Sequence, residues 1–298
     1  MKVSKKNLKA FSLVEISVVI LTIGLLIAGI TRGLDLYQDF KITTARSLTQ
    51  NSPVGRISDL SIWLETVSLK SFDKNEAVEN AEISKWYDIN PTLTIRNFAY
   101  NNNQNAKPTY DGNGINNLPT IKFDGVNDAL ISNIYDTTPT NNITYFVVTK
   151  RLPVYNYNTS SFSLIERDAL NDDKLMAFGE HTGNELRPRV DNVGAGFITP
   201  HPGNNNPYIA SCIFTGTTNT IYLNGVKSNY ANSRAFPITN NFNINRIVIG
   251  SRWSYVNEAD NFTASYNGNI GEIIFFSRAL SESEHSLIIN YLRKKWGI

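Results

Sequence analysis

The chain has 298 residues, 28 Lys+Arg against 26 Asp+Glu for a formal charge of +2, and a single cysteine. One cysteine excludes an internal disulfide, and the near balance of charge gives no support to nucleic-acid binding. The length leaves room for one large domain of about 245 residues behind a short N-terminal stem.

The first predicted element is an apolar helix behind a basic leader. Lys2, Lys5, Lys6 and Lys9 precede Phe11-Ser12-Leu13-Val14-Glu15, and residues 16 to 30 then carry no charge. Phe11 to Ile30, at about 1.5 Å per residue, makes a helix of roughly 30 Å, the depth of one hydrocarbon core. The early lysines hold this end in the cytoplasm. Helical patterning continues over residues 34 to 48, with Tyr37, Lys41, Thr44 and Leu48 on one stripe. Asn51-Ser52-Pro53 ends it, because proline cannot continue a helix. A secretory signal peptide is the plainer reading of residues 16 to 30, but Ala28-Gly29-Ile30-Thr31 is a poor cleavage site. Glu15 also departs from such a segment. A carboxylate at membrane depth costs on the order of 2.5–3.5 kcal/mol, so it either reaches the interface or has a partner.

Ala10-Phe11-Ser12-Leu13-Val14-Glu15 resembles the processing site of type IV prepilins and pseudopilins, over residues 5 to about 50. The resemblance implies a prepilin peptidase that cuts between Ala10 and Phe11 and methylates the new amino terminus. It also implies that Glu15, at the fifth mature position, pairs with the terminal amine of a neighbouring pilin or pseudopilin subunit. Leaders of that family usually end in Gly, and the methyl group of Ala10 is expected to slow the cut. Cleavage would remove four lysines and leave 24 Lys+Arg against 26 Asp+Glu, a charge of −2. The expected organisation is a leader over 1–10, a transmembrane and assembly helix over 11–52, and an exported domain over 53–298. The expected location is the bacterial inner membrane, N-terminus cytoplasmic and domain periplasmic or extracellular, followed by a pilus or pseudopilus.

Beyond Pro53 the pattern changes to strand period. Thr120 to Phe123, Ile143 to Thr149, Thr220 to Leu223, Arg246 to Ile249 and Glu272 to Phe276 are rich in branched and aromatic residues and bounded by turn clusters. Asn224-Gly225 between two such runs predicts a hairpin. Cys212, inside Ile209-Ala210-Ser211-Cys212-Ile213-Phe214, reads as an inert core residue, as do Trp63, Trp86 and Trp296. Asparagine runs such as residues 101 to 105 and 204 to 206 read as surface loops. At the end, Ser281-Glu282-Ser283-Glu284 is a capping box. It opens a helix with Leu287, Ile288, Tyr291 and Leu292 on its apolar face, and Arg293, Lys294 and Lys295 complement its C-terminal dipole.

These features predict a mainly β protein: an antiparallel sandwich with a long N-terminal transmembrane helix and a short C-terminal helix. Leu60 to Glu65, Ile83 to Asp88, Asn113 to Gly125, Ile221 to Gly225 and Gly268 to Leu292 together resemble the laminin-G-like, concanavalin A-like jelly roll of lectins and glucanases, in that family's order. That resemblance speaks to fold and little to function, because the fold hosts lectins, adhesion modules, hydrolases and spacers.

Candidate chemistry is sparse. Retaining glucanases on this fold carry Glu-x-Asp-x-Glu on one strand, so that two carboxyls face one cleft about 5 Å apart. Glu258-Ala259-Asp260 lacks the third acid, and Glu272 has no acidic partner on its own strand face, so no enzyme activity is expected. His181, His201 and His285 lack zinc-ligand spacing and read as surface or loop residues. Asp124, Asn127 and Asp128 form the oxygen-rich turn best suited to Ca2+, against the plain reading of an Asp-Gly turn. Trp253, Tyr255, Asn257 and Glu258 have the aromatic, amide and acid composition of a glycan-binding loop, as does Tyr155-Asn156-Tyr157-Asn158. The function expected is a minor pilin-like subunit of a type IV pilus, presenting a lectin-like domain to carbohydrate or a surface protein. The alternatives are a type II secretion pseudopilin and a membrane-tethered glycan hydrolase.

Overall fold

The computed structural model describes residues 12–132, 139–153, 159–165, 176–181, 185–189, 199–216, 218–228, 241, 243–244, 246–256 and 259–298. Two compact units, Met1–Thr43 and Thr44–Ile298, make up the chain.

The first unit is most of helix α1 (Leu13–Gln50). Its apolar side chains are exposed, Leu25 by 67% and Leu26 by 65%, where a soluble core helix would bury one stripe. A window of mean hydropathy 2.6 makes it long and apolar enough to cross a membrane or to act as a signal sequence.

The last turns of α1 belong to the second unit. There Ala45 and Thr49 are buried and Thr44 is exposed, so the packed stripe is offset by one residue from the expected 37/41/44/48 set. One residue rotates a helix face by about 100°. Long-range bonds fix the new face: Arg46 Nε donates to the Val67 carbonyl at 2.9 Å, and the Thr49 hydroxyl lies 3.4 Å from that of Tyr291.

After α1 and a turn at Pro53 come β1 (Leu60–Glu65), β2 (Lys85–Tyr87), β3 (Phe98–Tyr100), β4 (Thr109–Ile115), β5 (Leu118–Asp124), β6 (Leu130–Ser132), β7 (Asn142–Arg151), β8 (Thr159–Ile165) and β9 (Met176–His181). The chain continues through β10 (Glu185–Arg189), β11 (Thr199–Pro200), β12 (Pro207–Thr215), β13 (Asn219–Leu223), β14 (Val226–Lys227), β15 (Arg246–Ile249), β16 (Arg252–Val256), β17 (Ala259–Thr263) and β18 (Asn267–Phe276) to helix α2 (Glu282–Trp296). One sheet runs β14-β13-β12-β7-β18-β5-β4, with β1 also on β18; the other runs β11-β10-β9-β8-β15-β6-β3-β2; β16 and β17 form a separate hairpin. The pairing is antiparallel, and the architecture is the expected jelly-roll sandwich with an apolar N-terminal helix and a C-terminal helix.

The core lies between the two sheets, and β7 shows how sequence sets it. Ile143, Tyr145 and Val147 join the inter-sheet core. Thr144 and Phe146 point the other way, toward the segment that leads into α2 and toward α2 itself: the Thr144 hydroxyl donates to the Arg278 carbonyl and Phe146 stacks on His285. A strand covered on both faces reads as a continuous apolar run. The Asn224-Gly225 turn has φ of 50° and 81°, the double left-handed conformation of a type I′ hairpin.

Helix α2 begins at the expected capping box and ends on Gly297 at φ 67°. Three expectations are corrected here. Leu287 is exposed, whereas Ile289 and Trp296 are buried with Ile288, Tyr291 and Leu292. Lys295 is buried rather than facing solvent at the helix end. His285 is no surface residue: it is 3% exposed between Phe146 and Tyr222, its Nε2 lies 2.8 Å from the Ser211 hydroxyl, and burial pushes its pKa down to about 4. His201 lies in a loop as expected, yet it too is buried. Cys212 is 1% exposed, and burial pushes its thiol up to about 12, so the thiolate is suppressed.

Candidate functional site

Ala10 and Phe11 lie outside the described residues. Glu15 opens α1 and has a local role that the sequence reading missed. The Ser12 amide donates to Glu15 Oε2 at 2.8 Å, and the Glu15 amide donates to the Ser12 hydroxyl at 3.1 Å. This reciprocal pair is a capping box, readable in the sequence as Ser-x-x-Glu. It satisfies two amides that α1 would otherwise leave open and gives the carboxylate a partner within its own chain.

The Asp124 turn and the aromatic hairpin, far apart in sequence, come together at one end of the sandwich. Asp124 ends β5 and pairs with Asn267, the first residue of β18. The Ser265 hydroxyl donates to the Val126 carbonyl at 2.9 Å, which ties the turn to the base of the β16–β17 hairpin. Asn267 Nδ2 donates to the Pro153 carbonyl, and the Asn205 amide donates to the Arg151 carbonyl, so two further loops join this rim. Trp253 and Tyr255 are on β16, while Asn257, Glu258 and Tyr155 to Asn158 lie outside the described residues. The asparagines of the loops work largely inward. Asn101 Nδ2 donates to the carbonyls of Ala106 and Ala129, and Asn204 Oδ1 accepts from Arg151 Nε.

The turn closes on itself. Asp124 Oδ1 accepts from the amide of Val126 at 2.8 Å and, at longer range, from those of Asn127 and Asp128. Asp128 Oδ2 accepts from the Asp124 amide at 2.8 Å. Burial, and then the charge of Asp124, push the Asp128 carboxyl up to about 6. One oxygen of each carboxylate is spent on backbone, whereas calcium takes six to eight oxygens. No group of three or more His, Cys, Asp or Glu suited to a metal occurs among the described residues. The donor set does not fit calcium, and Gly125 at φ 77° completes an ordinary Asp-Gly turn.

The strongest electrostatic feature was not foreseen. Glu272 does have an acidic neighbour: Glu65 on β1 is its cross-strand partner. Lys295 bridges them, its Nζ 2.7 Å from Glu65 Oε2 and 2.8 Å from Glu272 Oε2, with all three side chains fully buried. Trp63 Nε1, Trp296 Nε1 and the Tyr291 hydroxyl donate to Glu272 at 2.8, 2.9 and 2.8 Å. The Val67 and Ser68 amides donate to Glu65 at 2.9 and 2.5 Å. Burial pulls the Lys295 pKa down, but Glu272 and Glu65 outweigh it and hold it above the ordinary value. With no solvent path to either carboxylate, the cluster ties α2 to β1 and β18 rather than facing a substrate.

No protein-family model matches the chain, and no curated protein matches it. Solved structures do. The sialidase of Trypanosoma rangeli in complex with sialic acid aligns with a TM-score of 0.51 at 13% identity, covering 80% of this chain and 33% of the sialidase. Domain 4 of an extracellular arabinanase from Geobacillus stearothermophilus, in complex with arabinotriose, gives 0.50 at 14% identity over 77% of this chain and 98% of that domain. The binding domain of botulinum neurotoxin serotype D gives 0.52 at 14% identity over 80% of this chain and 52% of that one. The chain thus spans about a third of the sialidase it matches, and the likeness is one of fold.

These matches correct the expectation that the protein is not an enzyme. A sialidase and an arabinanase carry domains of this shape, so the fold does not set the chain apart from glycosidases. The ground for excluding turnover was a missing Glu-x-Asp-x-Glu pattern, which tests one catalytic geometry only. Some glycosidases use a tyrosine nucleophile in place of a second carboxylate.

Proposed function

We propose that this chain is a pilin-like subunit whose N-terminal helix anchors it in the inner membrane and then packs into a filament, while its jelly roll is presented outside for carbohydrate binding. The observation that carries the reading is α1. It begins at Leu13 behind the Ser12–Glu15 capping box, and its large apolar side chains as far as Ile30 are exposed. Such a helix needs lipid first and neighbouring helices afterwards. In the assembled state Glu15 exchanges its Ser12 amide for the Phe11 amine of the next subunit. The size of the domain favours a minor, tip-proximal position over a densely packed shaft.

Mass spectrometry of the protein from cells that express a prepilin peptidase tests this. The expected mature start is N-methylated Phe11, with pilus subunits recovered by cross-linking. A chain that retains Met1 overturns the assembly reading and leaves a membrane-anchored domain. Recovery of secretion-system pseudopilins in place of pilus subunits moves the protein to a type II secretion apparatus.

A further inference from the structure

The outward face of the second sheet carries an aromatic ladder at its β2 edge. Pairing sets Lys85 opposite Tyr100 and Tyr87 opposite Phe98, while Trp86 and Ala99 between them point into the core with no exposure. This is the two-residue alternation of a strand. The rings of Tyr87 and Phe98 are 5.9 Å apart and those of Phe98 and Tyr100 5.7 Å, all half-buried.

Two cations rest on the ladder. Lys85 Nζ is 5.2 Å from the centre of the Phe98 ring, and the Arg96 guanidinium is 4.7 Å from that of Tyr87. Arg96 is pinned a second time by a 2.9 Å bond from Nη1 to the Lys70 carbonyl. The ion pairs among the described residues join Arg278 to Asp59 and Glu284 and Lys295 to Glu65 and Glu272, and neither ladder cation is in one, although the Arg96 charge acts on the buried Asp88 carboxyl. The nearby acids hydrogen-bond neutral groups: Asp73 accepts from the Tyr87 hydroxyl, and one oxygen of Glu76 accepts from the Ser84 hydroxyl and amide. The loop along the β2 edge adds the exposed Lys70 and Lys74.

We infer that this ladder is a binding platform for an acidic polysaccharide, one that carries carboxylate groups on its sugar rings. The inference rests on the proposed presentation of a carbohydrate-binding domain and names a site and ligand class for it. A guanidinium held over a ring and to a carbonyl has lost its rotamer freedom before any ligand arrives, so binding costs less. Its planar fork suits a carboxylate bound through two oxygens. Aromatic surface between the cations takes the apolar C–H face of a sugar. A neutral glycan would leave both cations unpaired. A single-stranded nucleic acid is disfavoured because adjacent rings are tilted by 59°, a stepped surface rather than a stack for consecutive flat bases.

The test uses the full-length protein in detergent with polygalacturonate as the probe, beside fully methyl-esterified polygalacturonate and an oligothymidylate. Polygalacturonate is expected to bind, to weaken as salt rises, and to lose at least tenfold in affinity with K85Q/R96Q at an unchanged thermal midpoint. R96K, which keeps the charge but not the fork, is expected to lose affinity as well and serves if the double variant folds poorly. Failure of polygalacturonate to bind, equal binding of the methyl ester, equal binding of the oligothymidylate, or an undiminished double variant overturns the inference. A glycan array on the same preparation separates the two readings. Neutral glycans bound while polygalacturonate is ignored overturns the platform and leaves carbohydrate presentation standing, whereas silence on both overturns each.

Discussion

Lys295 is the residue on which most of the buried charge depends. Two carboxylates, Glu65 and Glu272, share it in a site with no exposure. Removing one partner of a buried ion pair typically costs about 3–5 kcal/mol, because the remaining charge is left uncompensated. Lys295→Met is therefore expected to destabilise by about that amount in denaturant unfolding, and adding Glu65→Gln should recover part of it by leaving one buried carboxylate. Asp88 supplies a pH signature of its own. It accepts the amides of Trp63 and Asn90, and burial pushes its carboxyl up to about 7 against those opposing bonds. The folded state thus holds a proton that the unfolded chain, near 3.9, releases. The stabilisation is complete below about pH 4 and is lost as pH rises through 7. His285, held near 4, acts in the opposite sense: its stabilisation is present above about 6.5 and is lost as pH falls through 4. Because the two oppose each other, the wild-type profile alone is uninformative. The difference in unfolding free energy between wild type and Asp88→Asn isolates Asp88. It should change by on the order of 3–4 kcal/mol between pH 4 and 7, against the wild type as pH rises, and be flat above pH 8. A difference that does not vary with pH would mean that Asp88 titrates normally.

At the scale of elements, legibility followed length and period. The long strands β5, β7 and β18 and the hairpin turn at Asn224-Gly225 could be read from alternation and turn chemistry. Strands of three residues such as β2, β3 and β6 could not, since three positions carry no period. The α2 capping box was legible, but its buried face was only half so. A lysine in the last turn ordinarily faces water, and nothing local reveals that Glu65 and Glu272 lie beneath it. The same limit hid the joining of the Asp124 turn to the β16–β17 hairpin, which depends on a Ser265–Val126 bond across the sequence. The Ser12–Glu15 box is legible as Ser-x-x-Glu, but a carboxylate beside an apolar run points first to the membrane and only then to its own helix start. Gly271 marks where β18 admits α2. A Cβ there would fall 2.4 Å from the Trp296 ring. Overpacking of that kind costs about 1–3 kcal/mol, so Gly271→Ala should lower the thermal midpoint and shift tryptophan emission as Trp296 is displaced. An unchanged midpoint and spectrum would mean that the methyl group is accommodated without displacing Trp296.

At the scale of the whole molecule, the end of the helical pattern and the edge of the domain are different places. Proline at position 53 stops α1, and a boundary placed there by sequence looks natural. The compact unit nevertheless begins at Thr44, because Ala45, Arg46 and Thr49 already pack as part of it. Two truncations distinguish the boundaries. A chain starting at Thr44 keeps the buried face of the last turns, while one starting at Pro53 loses a buried alanine, the bond from Arg46 to Val67 and the Thr49–Tyr291 contact. One net hydrogen bond is worth about 1 kcal/mol, and burial of small apolar groups adds about 1 kcal/mol more. The 53–298 chain should therefore unfold about 2–3 kcal/mol more easily than the 44–298 chain in urea, with the loss also visible as faster amide exchange around Val67 and Tyr291. Equal stability of the two chains would show that the last turns of α1 ride on the domain without supporting it.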